Sequence, residues 1–254
     1  MSASMDQPSR KSTAFILIPG SFCTAAVCEP IAEILRQAGY EALAMATPSA
    51  QIRPQGPATF EEDVEAILSA IEGFKQRGKE VIIGMNSYAA WPGTQAAGIA
   101  NERGRKEGQT AGVVGLAYLA SFLPKSNESL RDVMGDFQNT TNDYMTLAAD
   151  ASAIFNEVSE EEGQEFIKLI GSHHSSVSWL GKLTHTEYIN TPTTYLFCEK
   201  DLLVTPALQQ DMVNWADANG ANIIKKSCAA GHCPMLTMPN LVADVLKEMA
   251  ENRQ

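Results

Sequence analysis

Three polar residues in this chain could do chemistry together: Ser87 in MNSYA, Asp201 in YLFCEKD and His232 in AGHCPML. A serine hydroxyl is a poor nucleophile alone. It needs a base to take its proton, and the base needs an acid to hold its tautomer and to stabilise the imidazolium that forms. Each of the three residues follows an apolar run, and they occur in the order serine, acid, histidine. Each also has a plainer reading. Ser87 could be a turn or N-cap serine, His232 a core or loop histidine, and Asp201 a helix cap. Glu199 competes with Asp201, but it falls before the end of its apolar run.

The elements that must position these residues can be read from hydrophobic spacing. AFILI at 14–18, closed by Pro19-Gly20, and EALAM at 41–45 read as buried strands. Between them Val27, Ile31, Ile34 and Leu35 recur at helical spacing, with Gly39 as the stop. Thr59 and Glu62 form a capping-box pattern ahead of Phe60, Val64, Ile67, Leu68 and Ile71 on one helical face. VIIG then leads to Ser87, a helix is expected to run to about Arg105, and AGVVGLAYLA has the continuous apolar character of a central parallel strand. The alternation breaks at residues 124–190. It resumes with TTYLFC, a helix over PALQQDMVNWADANG, NIIKK and a last amphipathic helix, NLVADVLKEMAEN. The expected fold is α/β, a mostly parallel twisted sheet with helices on both faces. Residues 1–123 and 191–254 would form the core and 124–190 a small helical cap, within a single domain overall. Catalytic residues in such sheets gather beyond the carboxyl ends of the strands, where all three candidates fall.

Composition narrows the partners. The chain has 254 residues and a formal charge of −11, with no excess of basic side chains to neutralise phosphates, so nucleic acid is not an expected partner. MSASMDQPSRKSTAF lacks the apolar core of a signal peptide, and the longest apolar run is too short to span a bilayer, so a cytoplasmic protein with no membrane partner is expected. Five cysteines, an odd number, are read as free thiols in a reducing compartment. CAAGHC brings together Cys228, His232 and Cys233, but no second paired set of ligands accompanies them, and no phosphate-binding glycine loop occurs, so neither metal nor cofactor is expected. His173 and His174 read as an exposed loop pair, and Trp179, Phe155, Phe166 and Tyr144 mostly as packing between cap and body. Monomer and homodimer are both left open.

FILIPGSF, AGYEALAMATPS, MNSYAAWPGT, TTYLFCEKD and AGHCPMLTMP, spread over nearly the whole chain, resemble the α/β-hydrolase superfamily. Within it they are similar to the small single-domain esterases related to plant methyl esterases and hydroxynitrile lyases, and to a fungal branch often linked to secondary metabolism. The order Ser, acid, His is that superfamily's own. The resemblance implies Ser87 as nucleophile, Asp201 as acid and His232 as base. It implies an oxyanion hole from the Tyr88 N–H and one further N–H at Ser21 or Phe22, with Gly20 letting that loop pass close to substrate and Cys23 and Cys233 as small walls. Met85-Asn86-Ser87-Tyr88-Ala89 departs from the usual G-x-S-x-G, and Asn86 and Ala89-Ala90 stand where His and Gly-Gly are common. Gly20 and Cys233 replace the threonine and lysine of the hydroxynitrile lyases, which favours the esterase side. The expectation is a cofactor-independent hydrolase of an ester, lactone or thioester of a small apolar metabolite. The altered elbow motivates an alternative, a lyase, cyclase or C–C bond-cleaving enzyme using His232 as proton carrier; a ligand-binding homologue without catalysis is the third reading.

Overall fold

The computed structural model describes residues 12–108, 112–136, 140–147 and 149–252. Six strands form the main sheet: β1 (Thr13–Ile18), β2 (Glu41–Ala44), β3 (Glu80–Ser87), β4 (Val113–Ser121), β8 (Thr193–Cys198) and β9 (Ile223–Cys228). Their order is β2-β1-β3-β4-β8-β9, and every neighbouring pair is parallel. The inner strands are buried on both faces, which is why they read as unbroken apolar runs, whereas edge strand β9 exposes several of its residues.

Alternate residues of each strand serve two separate cores. Ala14, Ile16 and Ile18 of β1 and Val81, Ile83 and Met85 of β3 pack with α2 (Phe60–Lys75) and α3 (Ala90–Lys106). Phe15, Leu17 and Ile82 pack on the other face with α1 (Glu29–Gln37) and α9 (Pro239–Glu251). Helix α2 starts where its capping box predicts: the Glu62 N–H donates to Thr59 Oγ1 at 3.3 Å and the Thr59 N–H donates to Glu62 Oε2 at 2.9 Å. The main body also carries α7 (Pro206–Ala218), between β8 and β9, and the short α8 (Pro234–Thr237) just after His232.

Between β4 and β8 the chain forms short helices, α4 (Leu130–Met134), α5 (Ala151–Ile154) and α6 (Glu160–Ile167). It also forms a three-stranded antiparallel sheet, β5 (Thr140–Thr141), β6 (Tyr144–Thr146) and β7 (His173–Ser175). The sequence reading expected helices alone here; strands of two or three residues are too short to show a period of two. The inserted segment lies against the loop after β1, where the Gly171 N–H donates to Phe22 O at 2.6 Å and Cys23 forms an isolated bridge with Ile170. Among the described residues no helix is long and apolar enough to cross a membrane.

The methionine that departs from the glycine pattern before Ser87 has its compensation one helix away. Met85 is fully buried, and its side chain fills the space where a Cβ at Gly93 of α3 would stand; that added carbon would run into Met85 Sδ and lie 2.9 Å from its Cγ. Gly93→Ala is therefore expected to destabilise the protein by about 1–3 kcal/mol through overpacking. In a Met85→Ala background the same change should cost far less, since alanine is the better helix former. A denaturant double-mutant cycle checks this, and additive effects would refute the coupling.

Candidate active site

Strand β3 ends at Ser87 in a backbone conformation that L-residues rarely adopt, φ 52°. Such a turn costs about 1–3 kcal/mol and persists only where its surroundings fix it. Here they do. The Ser121 hydroxyl donates to Ser87 O at 3.0 Å, and the Asn86 amide donates to Leu119 O at 2.8 Å and to His232 O at 3.0 Å. Asn86, one of the departures noted in the sequence, thus ties the end of β3 both to β4 and to the histidine loop. Its Oδ1 is buried without a hydrogen-bond partner among the described residues. Gly20 is required by close approach: a Cβ there would sit 2.8 Å from Ser87 Cβ.

Asp201 and His232 meet at 2.8 Å through Oδ2 and Nδ1, both nearly buried. The other carboxylate oxygen accepts the backbone N–H groups of Leu203 at 2.8 Å and Val204 at 3.0 Å, which fixes the orientation of the acid. Glu199, the competing acid, is exposed, and its own N–H goes to Cys228 O. With Nδ1 committed to Asp201, the other nitrogen of His232 is left to face a reacting group. In this conformation Ser87 Oγ makes no hydrogen bond among the described residues; it and His232 are two walls of one cavity.

That cavity has a volume of about 380 Å³. Gly20, Ser21, Phe22, Cys23 and Cys233 line it, and Phe122, Leu130, Leu147, Ile154, Ile170 and Trp179 make the far walls. Among the described lining residues none is Lys, Arg, Asp or Glu. Burial pushes the Cys23 thiol up to about 12 and Cys233 well above its ordinary value, so both are neutral surfaces rather than nucleophiles. Cys228 faces Cys198, sulfurs 3.6 Å apart, rather than joining His232 in a ligand set.

The loop after β1 is held from the inserted segment. Phe22 has φ 68° and its N–H donates to His174 Nδ1 at 3.2 Å, while the Trp179 indole N–H donates to Ser21 Oγ at 3.2 Å. Of the two amides considered for the oxyanion hole, Phe22's is thus already committed. His174 corrects the expectation of an exposed histidine pair: it is fully buried, whereas His173 is partly exposed. Tyr88, after the serine, is also fully buried, and its hydroxyl donates to Asp63 Oδ2 at 2.6 Å. Asp63 was not singled out in the sequence. Asp63 shares the buried face of α2, which would have flagged it, since a carboxylate there needs a partner.

The whole arrangement, from the strained serine to the Asp201–His232 pair beyond the carboxyl ends of parallel strands, agrees with a match of residues 15–245 to the model of the alpha/beta hydrolase family. The chain is an α/β-hydrolase. It is similar to the probable hydrolase R7 of a Phoma species, 35% identical over 92% of this chain and 97% of the relative. The alpha/beta hydrolase nvfD of Aspergillus novofumigatus is 29% identical over 93% of this chain and 96% of its own. A pyrethroid hydrolase from Sphingobium faniae shares the fold with a TM-score of 0.73 at 16% identity, covering 94% of this chain and 97% of the other.

Asp63 gives this α/β-hydrolase a testable pH dependence. Burial, only partly offset by hydrogen bonds from Ser49 and Tyr88, raises its pKa from 3.8 to about 6. The folded state then holds the proton more tightly than the unfolded chain, so this contribution is complete below 3.8 and is lost as pH rises through about 6. The loss is on the order of 2–3 kcal/mol. Asp63→Asn should flatten the fall in stability over that window, as read from urea midpoints at a series of pH values. Parallel pH curves for the two proteins would count against the assignment.

Proposed function

We infer that this α/β-hydrolase is a cofactor-independent serine hydrolase that cleaves an ester, lactone or thioester of a small apolar metabolite. The observation that carries the reading is the Asp201–His232 contact of 2.8 Å opening on the same uncharged cavity as the strained Ser87. Ser87 Oγ attacks the carbonyl carbon as His232 Nε2 takes its proton, and Asp201 stabilises the imidazolium. The developing oxyanion is received by the N–H groups of Ser21 and Tyr88, Phe22's amide being engaged elsewhere. His232 returns the proton to the leaving oxygen or sulfur, leaving Ser87 acylated, and then activates water to release the acid.

An apolar acyl or aromatic group suits walls made of Leu, Ile, Phe and Trp side chains. Residues 124–190 serve as the cap that supplies most of those walls, and Met134, Leu202 and Leu203, all exposed, mark the mouth. The names of the two fungal relatives, with that of the pyrethroid hydrolase, support hydrolysis. A cytoplasmic setting and a small ester-like substrate complete the reading.

A second reading keeps one specific observation in view: Ser87 Oγ is not bonded to His232 in this conformation. A lyase, cyclase or C–C bond-cleaving enzyme would use His232 without the serine. Intact mass after a fluorophosphonate, compared among wild type, Ser87→Ala and His232→Ala, separates the two. Hydrolysis requires a single adduct on wild type mapped to Ser87, its loss in Ser87→Ala, and a kcat for activated esters lowered at least about 10³-fold in either variant. Turnover that survives Ser87→Ala but not His232→Ala would transfer the assignment to the lyase class.

A further inference from the structure

We propose that His174, carried by the inserted segment, is a positioning residue that holds the oxyanion hole from both sides, an inference that rests on the serine-hydrolase reading above. Phe22 is a non-glycine residue at φ 68°, a conformation that must be held by its neighbours. Both of its backbone polar groups are clamped by the segment. Its N–H donates to His174 Nδ1 at 3.2 Å, and its carbonyl accepts the Gly171 N–H at 2.6 Å. Ser21, immediately before it, is held in turn by Trp179. The amide that would receive the oxyanion is therefore oriented by groups that come from outside its own loop.

The tautomer of His174 follows from its partners. The Ser178 hydroxyl spends its proton on Ser175 O at 2.9 Å, so at 3.2 Å it accepts from His174 Nε2–H. That leaves the Nδ1 lone pair for Phe22. Only the neutral ring can make this pair of bonds, and complete burial, which lowers its pKa to about 3, keeps it neutral over the ordinary working range. The same ring packs edge-on against Tyr88, centroids 4.9 Å apart, and tilted against Phe22 at 5.5 Å. One imidazole thus touches Phe22, the neighbour of Ser21 in the β1 loop, through a hydrogen bond, and Tyr88, the residue after the nucleophile, through its ring. Seating the segment and forming the hole become a single structural event.

The test exploits the different reach of three side chains. In His174→Asn the amide oxygen takes the place of Nδ1 and can accept from Phe22. In His174→Gln the polar end lies nearer the Nε2 position, and in His174→Leu there is no acceptor. With wild type first shown to take up fluorophosphonate at Ser87, the Leu and Gln variants should phosphonylate and turn over activated esters about 10- to 100-fold more slowly, through kcat rather than KM. His174→Asn should recover to within about five-fold of wild type. Amide hydrogen exchange at Phe22 should be slow in wild type and the Asn variant and fast in the Leu variant. Equal rates in all four proteins would overturn the proposal while leaving the serine-hydrolase reading intact, and so would equal losses in all three variants that track melting temperature. An unlabelled wild type would remove the reading and the proposal together. Should the Leu variant fail to fold, Ser178→Ala, which frees the tautomer but keeps the ring, is expected to lower kcat a few-fold with KM unchanged; an unaltered kcat there would also overturn it.

Discussion

The left-handed backbone at Ser87 is the constraint around which the rest of the site is arranged. A strand that ends in this way lifts one side chain clear of the sheet, but it does so against a steric cost of about 1–3 kcal/mol. The chain meets that cost with contacts from four directions. Ser121 on β4 holds the serine carbonyl, Asn86 ties the strand end to the histidine loop, Gly20 leaves room for the serine side chain, and Gly93 leaves room for Met85 beneath it. Small residues are needed wherever backbones approach, and polar groups wherever a buried carbonyl would otherwise be left unpaired. The positions of the candidate groups are thus consequences of packing around a single strained residue.

The parts of this scheme that follow from local rules were legible in the sequence. Six parallel strands and their helices announce themselves as apolar runs and 3.6-residue periods, and the capping box at Thr59 and Glu62 forms as its spacing requires. Ser87, Asp201 and His232 were visible because Ser87 closes β3 and the other two follow shortly after β8 and β9, and strand ends share one edge of a parallel sheet. What escaped notice depends on long-range complementarity. The exchange of Met85 for glycine looks like a defect until Gly93 is seen opposite it on α3, eight positions along and on a different element. His174 sits in a serine-rich stretch with no period at all, and only tertiary structure brings it beside Phe22, 152 positions earlier in sequence.

The inserted segment and the main body are joined at the site itself rather than at a remote hinge. Gly171, His174 and Trp179 all reach the loop after β1, and Trp179 also walls the cavity. The same segment therefore both walls the cavity and steadies the loop beside the serine. Changing the segment to admit a different acyl chain, while leaving Phe22 without an acceptor for its N–H and a donor for its carbonyl, would alter the chemistry as well as the fit.

The absence of charged side chains from the cavity wall has a directional consequence. An ester of the kind proposed would enter as a neutral, apolar molecule and gain by leaving water. Its cleavage would yield a carboxylic acid that is ionised at neutral pH, and no described lysine or arginine lines the wall to offset the desolvation of that anion. A pocket that attracts such a substrate would thus be a poor host for its product. Turnover of such a substrate carries its own means of clearance: weak inhibition by accumulated acid and little tendency to run in the direction of ester synthesis.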